Sequence, residues 1–188
     1  MTTVFKPPMV EGVVLRLRPV RPDDDAYIYA LRVNPGYNRH LSEITGSVTD
    51  QNSWIKRYQL REAEGQEIYY IIERLDNRVP CGTVRLYDIE PDHFNWGSWI
   101  LDENKPHKAA LESAVLSFGV GFNMLGKSKA LVDVRVENYR AIAFYRRFGM
   151  NQIQSQDDQE YFHFNYTCDR FNVDHEGHLR NLRTEALQ

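Results

Sequence analysis

Residues 133–150 read Asp133-Val-Arg-Val-Glu-Asn138-Tyr-Arg-Ala141-Ile-Ala-Phe-Tyr145-Arg-Arg-Phe-Gly149-Met. Apolar residues alternate with polar ones from Ala130 to Val136, which predicts a strand. Asn138 follows it, and a short amide side chain that can bond neighbouring backbone sets a turn from strand into helix. Arg140 to Arg147 then reads as a short helix closed by Phe148-Gly149. Tyr145 stands seven residues after Asn138, about two helical turns, so both are expected to address the same side of that helix.

Working outward from this strand, turn and helix orders the rest of the chain. Toward the C-terminus, Tyr161 to Thr167 is an aromatic strand. From Asp169 onward the chain is polar and charged, a tail in which Leu179, Leu182 and Leu187 are spaced for an amphipathic helix. His175-Glu-Gly-His178 puts two histidines on this tail, but zinc asks for at least three protein ligands and the glycine weakens a helix, so no metal site is expected. Toward the N-terminus, Ala110, Ala114, Val115, Phe118, Phe122 and Leu125 recur at steps of three and four and predict a long helix over 106–125, ended by Gly126. Asn95 to Leu101 reads as a strand whose Trp96 and Trp99 should face opposite sides. Before it, Glu67 to Glu73 and Cys81 to Tyr87 form a hairpin around the turn-rich Leu75-Asp-Asn-Arg-Val-Pro80. Thr49 to Glu64 is a helix with Asp50 near its cap and Trp54, Ile55, Tyr58 and Leu60 as a partial apolar face. A first strand, Val13 to Val20, leads through Asp23 or Asp24 as cap into a helix from Ala26 to Val33, which Asn34-Pro35-Gly36 stops.

Composition narrows the classes of function. The 188 residues fit one domain; they are 42% hydrophobic and 26% charged, with no apolar run near the ~20 residues of a membrane-spanning helix. The start lacks the pattern of a secretory signal, so a cytoplasmic location is expected. A net charge of −3 offers nucleic acid no general attraction. Cys81 and Cys168 read as reduced thiols. Eleven tyrosines among 12% aromatic residues favour a pocket that packs on ring-shaped ligands.

The order strand, long helix, strand, short helix, strand over 95–167, and above all the run from Asp133 to Met150, resembles the cofactor-binding half of the GNAT acetyltransferases. The Leu15-Arg-Leu-Arg-Pro19 start and the Asn138–Gly149 segment look most like the branch holding ribosomal-protein alanine acetyltransferases and amino-sugar N-acetyltransferases. The resemblance implies an α+β fold, a mixed and mostly antiparallel central sheet flanked by helices and splayed between its two central strands, with residues 1–168 as the domain and 169–188 as the tail. It implies acetyl-CoA as co-substrate and a small-molecule amine as acceptor, a ring-shaped amino-sugar nucleotide of surface-polysaccharide biosynthesis being the expected kind. A protein N-terminal amine and a non-catalytic CoA-binding module of the same fold are the alternatives, and a homodimer is compatible with the family.

The same resemblance assigns roles. Tyr145 takes the place of the family's tyrosine beside the thioester sulfur, and a phenol, protonated at neutral pH, can give its proton to the departing thiolate. Asn138 reaches toward the cofactor. Backbone N–H groups of Trp99, Ile100 and Leu101 orient the pantetheine and polarise the thioester carbonyl. Where relatives carry Arg or Gln, two residues, Gly, one residue, then Gly or Ala, this chain has Lys105-Pro-His-Lys108-Ala109-Ala110: Lys105 and Ala110 match, and Lys108 replaces the central glycine. The helix start can still bind a pyrophosphate through unpaired N–H groups, with Lys108 folding outward to add a charge-assisted contact and Lys105, Ala109 and Ala110 as the other cofactor-binding residues of the segment. Asn38, His40, Trp54, Arg85 and Trp96 are expected to line the acceptor pocket, with Arg39 and Arg57 as further diphosphate anchors, and Glu43, Asp88, Glu90 or His93 to act as base.

Overall fold

Alternation in Leu15-Arg-Leu-Arg-Pro19 turns two leucines into the core and two arginines to the other face of the strand, where Arg18 meets the buried carboxylates of Glu73 and Asp24, the latter at 2.7 Å. The computed structural model describes residues 5–41, 43–153 and 159–184. Its elements are β1 (Val10–Glu11), β2 (Leu15–Pro19), α1 (Asp25–Val33), the single turn α2 (Pro35–Asn38), α3 (Val48–Ala63), β3 (Ile68–Arg74), β4 (Pro80–Tyr87), β5 (His93–Leu101), α4 (Ala109–Gly119), β6 (Lys129–Arg135), α5 (Tyr139–Phe148), β7 (Asn151–Ile153), β8 (Tyr161–Thr167) and α6 (Cys168–Arg183). The strands form one eight-stranded sheet in the order β1-β2-β3-β4-β5-β6-β8-β7. All neighbours are antiparallel except β5 and β6, so the expected mixed, mostly antiparallel α+β fold is the one observed.

Two cores cover the sheet. The larger is built on Trp96, Phe94, Phe118, Phe148, Tyr166 and Phe171, and the smaller, under α1 and α3, on Ile28, Ile55, Tyr58, Tyr69 and Ile71. Phe171 and Leu182 of α6 are buried, Phe171 within the larger core, while Leu179 is half-buried and Leu187 lies outside the described residues. Glu112 of α4, itself buried, accepts from the N–H groups of Val14 at 2.9 Å and Leu15 at 3.1 Å and so ties the start of β2 to that helix.

Several local expectations change. The long helix begins at Ala109, not Pro106, because Lys108 adopts a left-handed conformation (φ 59°) that ends the preceding turn, and its last five residues, Val120–Met124, widen into a π-helical turn. Asp24 makes no side-chain cap to α1. Its carboxylate accepts from Arg18 at 2.8 and 2.7 Å and from the Arg21 N–H at 2.7 Å. Ser47 is the cap of α3, and Asp50 reaches back to the Ser47 N–H at 2.7 Å. Leu60, expected on the apolar face of α3, is 69% exposed. Strands β1 and β7 and the turn α2 carry too short a pattern to be read from sequence.

Candidate active site

The site is made by a break in the sheet. The parallel ladder between β5 and β6 holds only at His93↔Lys129, Phe94↔Ala130 and Asn95↔Leu131; beyond it β5 continues along β4 and β6 along β8. A bulge accompanies the parting. The β4–β5 register passes from Arg85↔Gly97 to Thr83↔Ile100, leaving Ser98 and Trp99 opposite Val84 alone, and Ser98 takes φ 47°. An extra residue breaks the alternation of a strand, so Trp99 swings to the side of Trp96, with ring centroids 5.1 Å apart. The two tryptophans therefore do not face opposite sides. Trp96 is wholly buried, stacked on Phe118 at 4.9 Å with its ring N–H on the Ser117 hydroxyl at 2.9 Å, and so is a core residue and no part of an acceptor pocket. Gly82 on β4 is needed beside the break, since a Cβ there would come within 2.2 Å of the Ile100 carbonyl oxygen.

The parted strands open into two adjoining grooves of 610 and 650 Å³, which share Trp99, Leu101, Asn138, Tyr139 and Arg140. Ile100 and His40 line the first, Lys105, Ala110, Phe144 and Arg147 the second. His40 thus faces the splayed strands, and Asn38, at the end of α2, lines neither groove. Asn138 caps α5, its side-chain oxygen accepting from the Ala141 N–H at 3.2 Å. Tyr145 lies on the buried face of α5 with Ile142 and Phe148, while Arg140, Phe144 and Arg147 form the face that lines the groove. Its ring stands 5.5 Å from Phe164 and 6.0 Å from Trp96, both edge to face, and 6.4 Å from Trp99. Burial, and then the nearby Tyr87 phenol, raise its pKa well above that of an ordinary tyrosine, and its hydroxyl has no hydrogen-bond partner among the described residues.

At the start of α4 the Ala109 N–H bonds the Pro106 carbonyl and the Glu112 N–H bonds the Lys108 carbonyl, which leaves the amides of Ala110 and Leu111 without a backbone partner among the described residues. These are the groups a helix N-terminus offers to an anion. Lys108 folds outward, but its ammonium bonds the Asn181 carbonyl on α6 and Ala109 is buried behind it, so neither side chain enters the groove and the charge-assisted contact expected of Lys108 is not in place. The residues that sequence reading passed over here are Tyr139, Arg140 and Arg147. Their signal was present, since 140, 144 and 147 are separated by four and three positions, the repeat of one helix face.

A smaller pocket of 270 Å³ lies on the α3 side of the sheet, walled by Arg32, Glu43, Trp54, Tyr69 and Arg85 and reaching Ser98 of the bulge. Arg85 is fixed by Glu67 through its Nε at 2.7 Å and lies over the rings of Trp54 (5.4 Å) and Tyr87 (4.9 Å). Trp54 and Arg85 line this pocket together. Of the candidate bases, Glu43 shares this pocket with Ser98; Asp88 and Glu90 line a neighbouring opening, and His93 is paired with Asp92 at 2.7 Å. Arg57 borders an adjoining hollow beyond Trp54, and Arg39 lines the first groove. His175 packs on Phe171 at 5.1 Å and His178 stacks on Phe148 at 4.5 Å; no group that could hold a metal ion occurs among the described residues. Nor does any described helix have the length and apolarity to cross a membrane.

Comparison with known proteins places this geometry. The family model of the acetyltransferase (GNAT) domain matches residues 15–151. No curated protein sequence matches the chain. Among solved structures, the apo form of FdhC, a nucleotide-linked sugar GNAT, is 35% identical with a TM-score of 0.84, over 92% of this chain and 97% of that one. The spermidine N-acetyltransferase of Vibrio cholerae in complex with CoA and spermine shares the fold at 17% identity and TM-score 0.74, covering 86% and 99%. The ribosomal L7/L12 alpha-N-protein acetyltransferase RimL in complex with CoA does so at 14% and 0.74, covering 87% and 99%. With a sheet parted at a bulge and a helix start opening on the gap, the chain belongs to the GNAT family of N-acetyltransferases, whose co-substrate is acetyl-CoA.

Proposed function

We propose that this enzyme moves an acetyl group from acetyl-CoA to the primary amine of an amino sugar carried on a nucleotide. The observation that carries the reading is the small pocket of Trp54, Tyr69, Arg32 and Arg85, which reaches the bulge from the side of the sheet bearing α3. Its 270 Å³ is less than the ~300–1,000 Å³ of sites that enclose drug-sized ligands. It suits the amine-bearing ring alone, and the hollows bordered by Arg57 and Arg61 extend it for the remainder of a nucleotide. A protein N-terminus would call for an open groove here. The likeness to a nucleotide-linked sugar GNAT supports the same choice.

In this reading the larger cleft takes the cofactor, with Lys105, the amides of Ala110 and Leu111, Arg140 and Arg147 around its phosphates and Asn138 at the rim. Glu43 accepts the ammonium proton of the acceptor. The free amine then forms the N–C bond at the thioester carbonyl, while backbone N–H groups of Trp99 to Leu101 hold the developing oxyanion. The adduct nitrogen sheds its second proton to solvent as the C–S bond breaks, and Tyr145 gives its phenolic proton to the CoA thiolate and regains one from solvent. Its raised pKa keeps that proton in place through neutral pH.

The test is an acetyl-transfer assay on UDP- and dTDP-linked amino-deoxyhexoses beside spermidine and a ribosomal-type N-terminal peptide. Turnover of a sugar nucleotide at a kcat/KM at least tenfold above the other two is the expected result. Preference for the polyamine or the peptide overturns the acceptor class.

A further inference from the structure

We infer that the Tyr69 hydroxyl reads the acceptor, making a hydrogen bond to a ring hydroxyl remote from the reacting amine and so setting which sugar is turned over; this rests on the acceptor class proposed above. Tyr69 is 1% exposed, and its hydroxyl is fully buried with no hydrogen-bond partner among the described residues. Buried polar groups are nearly always paired, and an orphan is costly until a partner arrives. The residue that carries this orphan also walls the pocket that ends at Ser98.

Its place is set by strand register. Tyr69 pairs with Arg85 across β3 and β4, and Arg85 pairs with Gly97 across β4 and β5, so one row crosses the sheet from Tyr69 to the edge of the bulge. Strands lie ~4.8 Å apart, which puts the Tyr69 backbone roughly 10 Å from that of Gly97. An amine poised at the bulge is therefore beyond this phenol, whereas the far side of the ring that bears the amine is within its reach. Packing and backbone bonding hold the phenol in position. Trp54 and Tyr58 meet it edge to face at 5.9 and 6.1 Å, and the Tyr69 N–H donates to the Tyr58 hydroxyl at 2.7 Å. A fixed donor that awaits its partner discriminates strongly between ligands that do and do not complete its bond.

Tyr69→Phe in the full chain tests this through kinetics and melting together. For the sugar nucleotide turned over by the wild type, kcat/KM should fall roughly tenfold, the worth of one hydrogen bond. The KM for acetyl-CoA should stay within about twofold and the melting temperature should not drop, because the hydroxyl bonds none of the described residues. An analogue lacking the ring hydroxyl that Tyr69 reads should be used equally by both forms. Unchanged kcat/KM with an active wild type overturns the inference and leaves the acceptor class standing. A loss of several degrees also overturns it, by showing that the hydroxyl is partnered within the protein. A wild type that acetylates no sugar nucleotide overturns the acceptor class, and the inference with it.

Discussion

Tyr145 packs its ring among Trp96, Trp99 and Phe164. Its hydroxyl bonds none of the described residues and, unlike that of Tyr69, is not fully buried, which leaves it open to a partner from outside the core. Tyr145→Phe is expected to lower kcat about 10²-fold, the lower end for losing a general acid, while acetyl-CoA still raises the melting temperature as it does for wild type. Loss of both together would mark the ring as structural. Lys108 gives a second residue-scale expectation. It stands at φ 59°, where a side chain other than glycine is strained, and its ammonium points away from the groove toward Asn181. Lys108→Gly should therefore leave acetyl-CoA affinity within about threefold, and stability within about 1 kcal/mol because relief of strain opposes the added freedom of the unfolded chain. Isothermal titration and urea denaturation read the two. Lysine at this point was the feature of the sequence that most obscured the phosphate site, and only the side-chain direction removes the conflict.

At the scale of elements, α6 closes the larger core through Phe171, and His178 lies against Phe148, the last residue of the tyrosine-bearing helix. Burial lowers the pKa of His178 below the ordinary 6.5, outweighing the nearby Asp174 carboxylate, which favours the charged form. The sign follows from proton counting. As pH falls through 6.5 the unfolded chain takes up a proton that the folded chain refuses, so stability is complete above that pH and is lost below it until the folded pKa is reached. Melting at about pH 7.5 and about pH 5.5, on either side of that window, should show a steeper loss for wild type than for His178→Phe. An equal slope would mean that α6 does not sense this imidazole. The pair of histidines drew attention in the sequence as a metal motif; packing explains them, because each ring lies on a different phenylalanine.

For the whole molecule, the cleft and the helix start must work as one anion site if the fold is to hold acetyl-CoA. Because a ligand that binds only the folded state stabilises it by RT ln(1 + [L]/Kd), acetyl-CoA at about 100 times its Kd should add about 2.7 kcal/mol. A saturable rise in melting temperature is expected with acetyl-CoA and with CoA; none at millimolar concentration would mean that the segment from Lys105 to Ala110 no longer accepts phosphate.

Much of this architecture was legible in the chain itself. The alternation of Ala130 to Val136, the turn at Asn138, the Tyr145 helix and its Gly149 stop are local signals, since each depends on residues close in sequence, and Gly149 indeed takes φ 105° at the helix end. The order of the elements, and with it the family, followed from them. What only the tertiary structure decided is whatever depends on how distant segments meet. The bulge at Ser98 needs the β4 partner to show that two residues face one, and it moved Trp99 beside Trp96 and sent Trp96 into the core. The pairing of Tyr69 with Arg85, the outward path of Lys108 to Asn181 and the split of His40 from Trp54 into separate openings are likewise contacts across strands and helices. Periodicity tells which face of an element is apolar; it carries no information about which other element will cover that face, and the site is made from that second choice.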